Sequence, residues 1–346
     1  MVSPTISAKL KSRPIISVSP GLGMKSTYSR PKSPAAGRSS KNTASCPPKP
    51  ERWFNRLVKH NTKEEVSDSM SGNIDLPTVD GFGAEWDAYD QSALEPAELD
   101  RMWRDYFGIF PFDRLPPGSE GFDMGCGSGR WAKIVAPRVG LLHCIDPAEV
   151  ALKVARRNLA TEPNCQFHLA GVDELPMPDA SQDFGYSLGV LHHIPETERG
   201  LRACTAKLKP GAPFLLYLYY NFDNRPAWFR ALWSVSDAGR KAICRLPFGL
   251  RRRLTAGIAV MIYWPLTRAA RLLERAGKDV AAFPLSAYRK SSLYTLKTDA
   301  LDRFGTRLEH RFSRAEMSAM MERSGLSEIR FHEGTPHWVG VGIKAP

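Results

Sequence analysis

With 346 residues, 42% of them hydrophobic, the chain is long enough for one large domain or two small ones and can build a substantial core. Its net charge of +12 is unevenly placed. Residues 1–50 hold nine Lys/Arg and no acid, and residues 221–310 hold seventeen against seven, which leaves a net −7 for the rest. That distribution argues against a uniformly basic nucleic-acid binder, and no apolar run reaches the length needed to span a bilayer. The six cysteines form no C-x-x-C pair and no zinc-spaced cluster with histidine, so no metal is expected, and a reducing, cytoplasmic setting is.

In chain order, residues 1–50 are rich in Ser, Pro, Lys and Arg and poor in large apolar residues, a composition that predicts a disordered basic tail. Two alternatives stay open: an organellar transit segment, or an over-long reading frame with Met24 or Met70 as the start. Residues 51–118 read as a helical cap and linker: "WFNRLVKH" beginning after Arg52, then "FGAEWDAYD" (Phe82–Asp90) and "AELDRMWRDYFGIF" (Ala97–Phe110). After the turn "LPPG", the first strand ends near Asp123 and runs into the glycine-rich "GFDMGCGSGRWA", with a helix from Gly129 to Pro137. "VGLLHCIDP" is a buried strand closing at Asp146, and Pro147 suits the first turn of the amphipathic helix "AEVALKVARRNLA". "CQFHLAGVDELP" supplies strand three and then Val172 and Asp173. "DFGYSLGVLHHIPE" supplies strand four, which ends at Leu188 and is followed by His192 and His193. "LKPGAPFLLYLYY" supplies strand five, leading to Tyr220, Asn221 and Asp223. The alternation of strand and helix predicts a doubly wound, mostly parallel sheet with helices on both faces.

The glycines Gly125, Gly127 and Gly129 are spaced G-x-G-x-G, with Asp123 two residues ahead. Arg130 stands where a dinucleotide fingerprint wants its third glycine. The pattern D-x-G-x-G-x-G resembles motif I of the class I S-adenosylmethionine (SAM) methyltransferases, and the resemblance covers Gly121 to Tyr220 in the correct order. It implies a seven-stranded Rossmann-like α/β sheet with an antiparallel edge strand, and SAM as cofactor. The cofactor-binding residues it implies are Asp123, Gly125, Gly127, Gly129, Asp146 (ribose), Val172 and Asp173 (adenine) and Leu188. One departure is Ala212, where the turn before strand five often carries a second glycine.

Ligands of open α/β sheets bind beyond the carboxyl ends of the strands. His192 or His193 is therefore a candidate general base, and Tyr220, Asn221 and Asp223 are candidate acceptor contacts, with loop packing as the alternative for each. The N-P-P-Y motif of amino-methylating nucleic-acid enzymes is absent after strand four, where the chain reads "LGVLHHIPE", so a small-molecule, saccharide-type or lipid-type acceptor is expected and nucleic acid is not. The chain divides as 119–220 (SAM-binding core), 221–310 (basic helical insert) and 311–346 (closing helix and last two strands). Within the insert, Arg251–Gly277 has an apolar run flanked by arginines, which suits a lid over the site or a helix lying on a membrane surface. On the second reading Ile258, Met261, Trp264 and Leu266 face lipid and Arg251, Arg252 and Arg253 face headgroups. A non-catalytic SAM-binding regulator, and less so a nicotinamide oxidoreductase, are the rival functions. Nothing in the sequence sets the oligomeric state.

Overall fold

The computed structural model describes residues 72–346 except 224 and 334–336. The basic tail and the helical patch after Arg52 lie outside the described residues. Seven strands form one sheet: β1 (Glu120–Met124), β2 (Leu141–Asp146), β3 (Cys165–Leu169), β4 (Phe184–Leu188), β5 (Pro213–Tyr217), β6 (Leu326–Phe331) and β7 (Val339–Lys344). Their order is β3-β2-β1-β4-β5-β7-β6. The pairs from β3 to β5 are parallel, and β7 runs antiparallel to both β5 and β6. The predicted fold class is the observed one. The last two strands do pair antiparallel at that edge, and the later strand, β7, is the one slotted inside against β5.

The central strands are near-continuous apolar runs because both faces of the sheet are covered. Side-chain alternation sends Phe214 and Leu216 of β5 into one core with Phe122, Ile145 and Leu191, and Leu215 into the other with Leu142, Phe184 and Tyr186. At the centre, β1 and β4 fit by exchanging glycine and phenylalanine. Gly121 faces Phe184 in register and Phe122 faces Gly185. A Cβ on Gly121 would lie 2.3 Å from the Phe184 ring, and one on Gly185 2.5 Å from the Phe122 ring. This pair of strands carries the glycine turn, so its packing fixes where that turn stands.

The helices are α1 (Leu76–Ala88) and α2 (Pro96–Phe107) before the sheet, α3 (Ala132–Val135), α4 (Glu149–Asn158) and α5 (Thr197–Lys207) between strands, and α10 (Arg314–Arg323) before β6. Two boundaries differ from expectation. The helix after the glycine turn is only α3, followed by a 3-10 turn at Ala136–Arg138 where Pro137 ends it. The next helix begins at Glu149, two residues beyond Pro147, because the Asp146 carboxylate holds the intervening turn.

Between β5 and α10 lie α6 (Ala227–Ile243), α7 (Phe248–Ile258), a π turn (Ala259–Tyr263) that runs on into α8 (Trp264–Arg275), and α9 (Leu293–Gly305). These helices share a small core of Ala259, Tyr263, Leu296, Ala300 and Phe304. Buried arginines tie them together. Arg240 bonds Asp237 at 2.7 Å and the carbonyl of Thr306 at 2.9 Å, and Arg251 donates to the carbonyls of Cys244 and Gly305. Helix α9 is also moored to the amino-terminal helices. Glu98 of α2, buried, accepts the backbone N–H of Ser292 just before α9, and the Tyr294 hydroxyl accepts the N–H of Gln91.

Replacing Gly185 by alanine is expected to destabilise the protein by about 2 kcal/mol, because the immobile Phe122 ring leaves no room for a methyl group. Chemical denaturation measures this. The double variant Gly185→Ala/Phe122→Leu should recover part of the loss, and simple additivity would show that the two residues do not press on each other.

Candidate functional site

The glycine turn leaves the carboxyl end of β1, where the sheet order reverses direction, β2 lying on one side and β4 on the other. Gly125, Gly127 and Gly129 have φ of +80°, +53° and +78°, a left-handed backbone that other residues resist. The turn closes through the Gly125 and Cys126 N–H groups on the Ile145 carbonyl and Gly129 N–H on the Cys126 carbonyl. A Cβ on Gly127 would lie 2.9 Å from the Trp86 indole, so α1 lays an aromatic ring directly on the turn.

Asp146, at the end of β2, uses both carboxylate oxygens locally. Oδ2 accepts the Gly127 N–H at 2.9 Å and Oδ1 the Ala148 N–H at 2.8 Å. Burial pushes its pKa up to about 6, against those two backbone bonds, which pull it down. Each oxygen keeps a second acceptor position. Holding the turn and accepting from a ribose are therefore compatible.

Asp123 is 2% exposed, and its Oδ2 has no hydrogen-bond partner among the described residues. Burial pushes its pKa up to about 8; the Asp146 charge adds to this, while the Tyr186 hydroxyl and Arg130 oppose it. A buried carboxylate oxygen left without a partner is costly, and a cation or a donor arriving at the turn would relieve it. Arg130, immediately after the last glycine, lies against the Trp131 ring at 4.5 Å and bonds Gln91 Oε1 at 3.3 Å, and it makes no ion pair among the described residues. A buried acid with one open oxygen and a guanidinium without an ion-pair partner among the described residues, flanking one glycine turn, could receive the ammonium and the carboxylate of an amino-acid moiety.

Val172 is buried at the start of a 3-10 turn, Val172–Glu174. Asp173 pairs with Arg199 at 2.8 Å and accepts the Asn73 N–H at 3.1 Å. Leu188 is half-buried at the tip of β4 and packs against the core that contains Tyr186.

Both histidines after β4 are buried, and Asp302 is the strongest charge acting on His193. His192 has no exposed surface, and its ring lies 3.8 Å from that of Tyr219 and 4.0 Å from that of His193. His193 is 5% exposed and its Nδ1 bonds the Leu308 carbonyl at 2.8 Å. Burial pushes both pKa values down, so both rings are neutral at pH 7. Tyr220 is half-buried and its ring packs on that of Phe222 at 4.5 Å. Asn221 and Asp223 are exposed, with Asn221 Oδ1 accepting the Asp223 N–H, in a surface turn leading to α6.

Several other ionisable side chains are linked electrostatically to one another or to Arg130. Tyr106 of α2, Arg130, Tyr217 of β5, Tyr288, and Asp299 and Asp302 of α9 are all half-buried. Their ionisable tips are nevertheless strongly perturbed by lost hydration and by one another. The Tyr106 and Tyr217 rings meet edge to face at 5.2 Å, and the Tyr219 hydroxyl donates to Asp302. The sequence marked Arg130 only as the residue standing where a dinucleotide fingerprint has its third glycine. Asp299 and Asp302 carried no such signal, lying far along the chain in a helix without a motif.

A family model described as a methyltransferase domain matches residues 122–216. The chain is 31% identical over 189 residues to the ubiquinone biosynthesis O-methyltransferase of Xanthomonas axonopodis pv. citri, covering 51% of this chain and 72% of that protein. It is 33% identical over 163 residues to the protein of the same name from Bordetella avium, covering 44% and 63%. A SAM-dependent methyltransferase from Methanosarcina mazei superposes with a TM-score of 0.41 at 17% identity, covering 68% of this chain and 98% of that one. With the ordered strands, the glycine turn and a relative of which it spans more than two thirds, the chain belongs to the class I SAM-dependent methyltransferases.

Proposed function

We propose that the protein transfers the methyl group of SAM to a hydroxyl of a small, lipid-like molecule. When bound, SAM supplies a methyl group on a positively charged sulfur. The chain supplies binding and orientation, which is most of what an in-line displacement needs. In this reading Asp123 receives the ammonium and Arg130 the carboxylate. Asp146 receives the ribose hydroxyls, and Val172, Asp173 and Leu188 border the adenine. The single observation that carries the reading is the buried Asp123 carboxyl beside the glycine turn, whose Oδ2 has no hydrogen-bond partner among the described residues. The hydroxyl acceptor is supported by the printed names of the relatives, which are O-methyltransferases. The test is incubation with methyl-labelled SAM and a lipid and metabolite extract of the host, followed by mass analysis of the labelled products.

A lipid-like acceptor is supported by the outer face of the insert. The helix from Phe248 to Arg275 buries Arg251, Thr255, Ala259, Tyr263, Thr267 and Ala270 along one side. Its other side exposes Leu250, Leu254, Met261, Ile262, Trp264 and Leu272, with Met261 75% exposed. Helix α6 adds Trp228, Leu232 and Val235, exposed at i, i+4 and i+7. Arg252 and Arg253 are exposed beside this face. Such a surface suits an interfacial helix on an anionic bilayer. Two details of the sequence expectation are corrected. Arg251 is buried and spends its guanidinium on two carbonyls, so it is no headgroup ligand. Ile258 and Leu266 are half-buried, because the helix turns them toward its neighbours. No helix among the described residues is long and apolar enough to cross a membrane.

Asp146→Ala should weaken SAM binding by about 2 kcal/mol in a folded protein, since the glycine turn and the ribose lose one charged acceptor; calorimetric titration reads this directly. Unchanged affinity would leave Asp146 as a turn-holding residue alone.

SAM affinity should also rise with pH and level off near the Asp123 pKa of about 8. The bound ammonium favours the ionised carboxylate, so binding releases a proton below that pH, with a limiting gain of about tenfold per pH unit. The sign for folding is opposite. A carboxyl whose folded pKa is raised keeps its proton after the unfolded chain has lost it, so the ligand-free protein loses stability as pH rises from the ordinary carboxylate range toward 8. Titrations at several pH values and denaturation of the free protein check the two directions separately.

Vesicles of equal parts phosphatidylcholine and phosphatidylglycerol should sediment the protein at low salt and release it at high salt. Replacing Arg252 and Arg253 by glutamine should cost about 1 kcal/mol each, and Met261→Asp should abolish sedimentation. Protein that stays in the supernatant at low salt would rule out the membrane contact.

A further inference from the structure

We propose that Gln91 is a positioning residue for the donor: its side-chain amide sets the Arg130 guanidinium toward the carboxylate of SAM, and Tyr294 of the insert helix α9 holds Gln91 in place. The assignment rests on the reading above in which Arg130 receives that carboxylate, and deepens it by naming what aims the guanidinium.

The chain at the end of α1 runs alongside the glycine turn and meets it at three points. The Trp86 indole lies on Gly127, 2.9 Å from where a Cβ would stand. The Asn158 amide, at the end of α4, donates to the carbonyl of Asp90 at 2.8 Å and to that of Ser128 at 2.9 Å, and so bridges the two segments. Gln91 Oε1 accepts from Arg130 Nη1 at 3.3 Å. Trp86, Asp90 and Gln91 thus meet Gly127, Ser128 and Arg130 in order, which places the Gln91 amide beside the guanidinium that follows the last glycine.

Gln91 is itself held at both ends. Its Nε2 donates to the Tyr89 carbonyl at 3.4 Å, which leaves Oε1 to face Arg130. Its backbone has a φ of +67°, in the left-handed region that a residue with a side chain resists, so it needs an outside hold. Tyr294 supplies one: its hydroxyl accepts the Gln91 N–H at 2.9 Å, and its ring meets that of Tyr89 edge to face at 5.7 Å. On its other side the Arg130 guanidinium rests on the Trp131 ring at 4.5 Å, and Trp131 packs on Tyr106 at 5.2 Å. An amide oxygen and an indole face fix the guanidinium in two directions and leave it further N–H donors for a ligand.

The chemistry of Gln91 matters as much as its place. A carboxylate at that point would orient Arg130 and also cancel its charge. A neutral amide orients it and leaves the charge for the ligand. Tyr294 stands 203 residues further along the chain than Gln91, on a helix whose start is also moored to α2 through Glu98 and Ser292. The insert thereby sets the donor's carboxylate site without itself supplying a group to SAM.

The test measures, by calorimetry on the full chain, the affinities of S-adenosylhomocysteine and of its decarboxylated counterpart, which keeps the ammonium and lacks only the carboxylate. The wild type should prefer the first by about tenfold or more, the worth of one charge-assisted pair. Gln91→Gly, which fits the left-handed backbone, should cut that preference to about threefold or less, while the decarboxylated ligand binds within about twofold of its wild-type affinity. Tyr294→Phe should reduce the preference in the same direction, and adding it to Gln91→Gly should reduce it no further, since the hydroxyl acts through Gln91. Equal losses for the two ligands would overturn the assignment, because a residue that merely holds the fold weakens both alike. Tyr294→Phe, which removes a single oxygen atom, gives the answer should the glycine variant not fold. If the wild type binds the two ligands alike, or Arg130→Gln keeps the full preference, the carboxylate reading of Arg130 fails. That result is distinct from an Arg130-dependent preference that Gln91→Gly and Tyr294→Phe leave intact, which sinks the Gln91 assignment alone.

Discussion

The carboxylate of Asp146 is the constraint on which the site depends. Its two oxygens bind the Gly127 and Ala148 N–H groups, so one side chain at the end of β2 locks the glycine turn after β1 to the turn that starts α4. Both turns carry backbone donors that the sheet cannot satisfy, and a buried carboxylate satisfies them together. The cost is a charged group in a desolvated place, visible in its raised pKa. Every other feature of the cofactor side is arranged around this junction: Asp123 one strand over, Arg130 at the end of the turn, and Trp86 laid on Gly127 from α1.

The insert is more than a cover. Its buried arginines, Arg240 and Arg251, donate to backbone carbonyls around the end of α9 and so fix that helix at one end, while Glu98 and Tyr294 fix it at the other. A helix pinned at both ends holds side chains at its middle to a defined position. The opposite surface of the same insert is apolar and exposed. The geometry thus brings a chemical face and a greasy face within a few helices of each other, an arrangement that suits an acceptor reaching the site from a bilayer.

Charge is unevenly distributed. The segment before the sheet, residues 51–118, carries the net negative charge, the sheet-forming segments 119–220 and 311–346 together are neutral, and the insert is positive. Asp123 and Asp299 are raised by lost hydration and by neighbouring carboxylates, and the Arg130 guanidinium offsets both in part. Sites built this way respond to a cationic ligand by giving up protons, which couples donor binding to the protonation state of the wall.

The sequence by itself determined the sheet, the order of its elements and the cofactor turn. Each of these is written in short-range pattern: apolar runs of strand length, a D-x-G-x-G-x-G turn that only glycine backbones can follow, and an acid closing strand two. It also marked the apolar stretch in the insert, though not which arginines would face out, since Arg251 and Arg252 differ only in the side of the helix they occupy. The surroundings of the candidate acceptor residues were decided by tertiary structure alone. "LHHI" placed two histidines after strand four, but their access depended on Tyr219 and on the carbonyl of Leu308, neither of which spacing reveals. Asp299 lies 169 residues from Arg130 in a helix with no motif. Its desolvation and its charged neighbours arise only when distant segments converge, and these are properties of the folded chain.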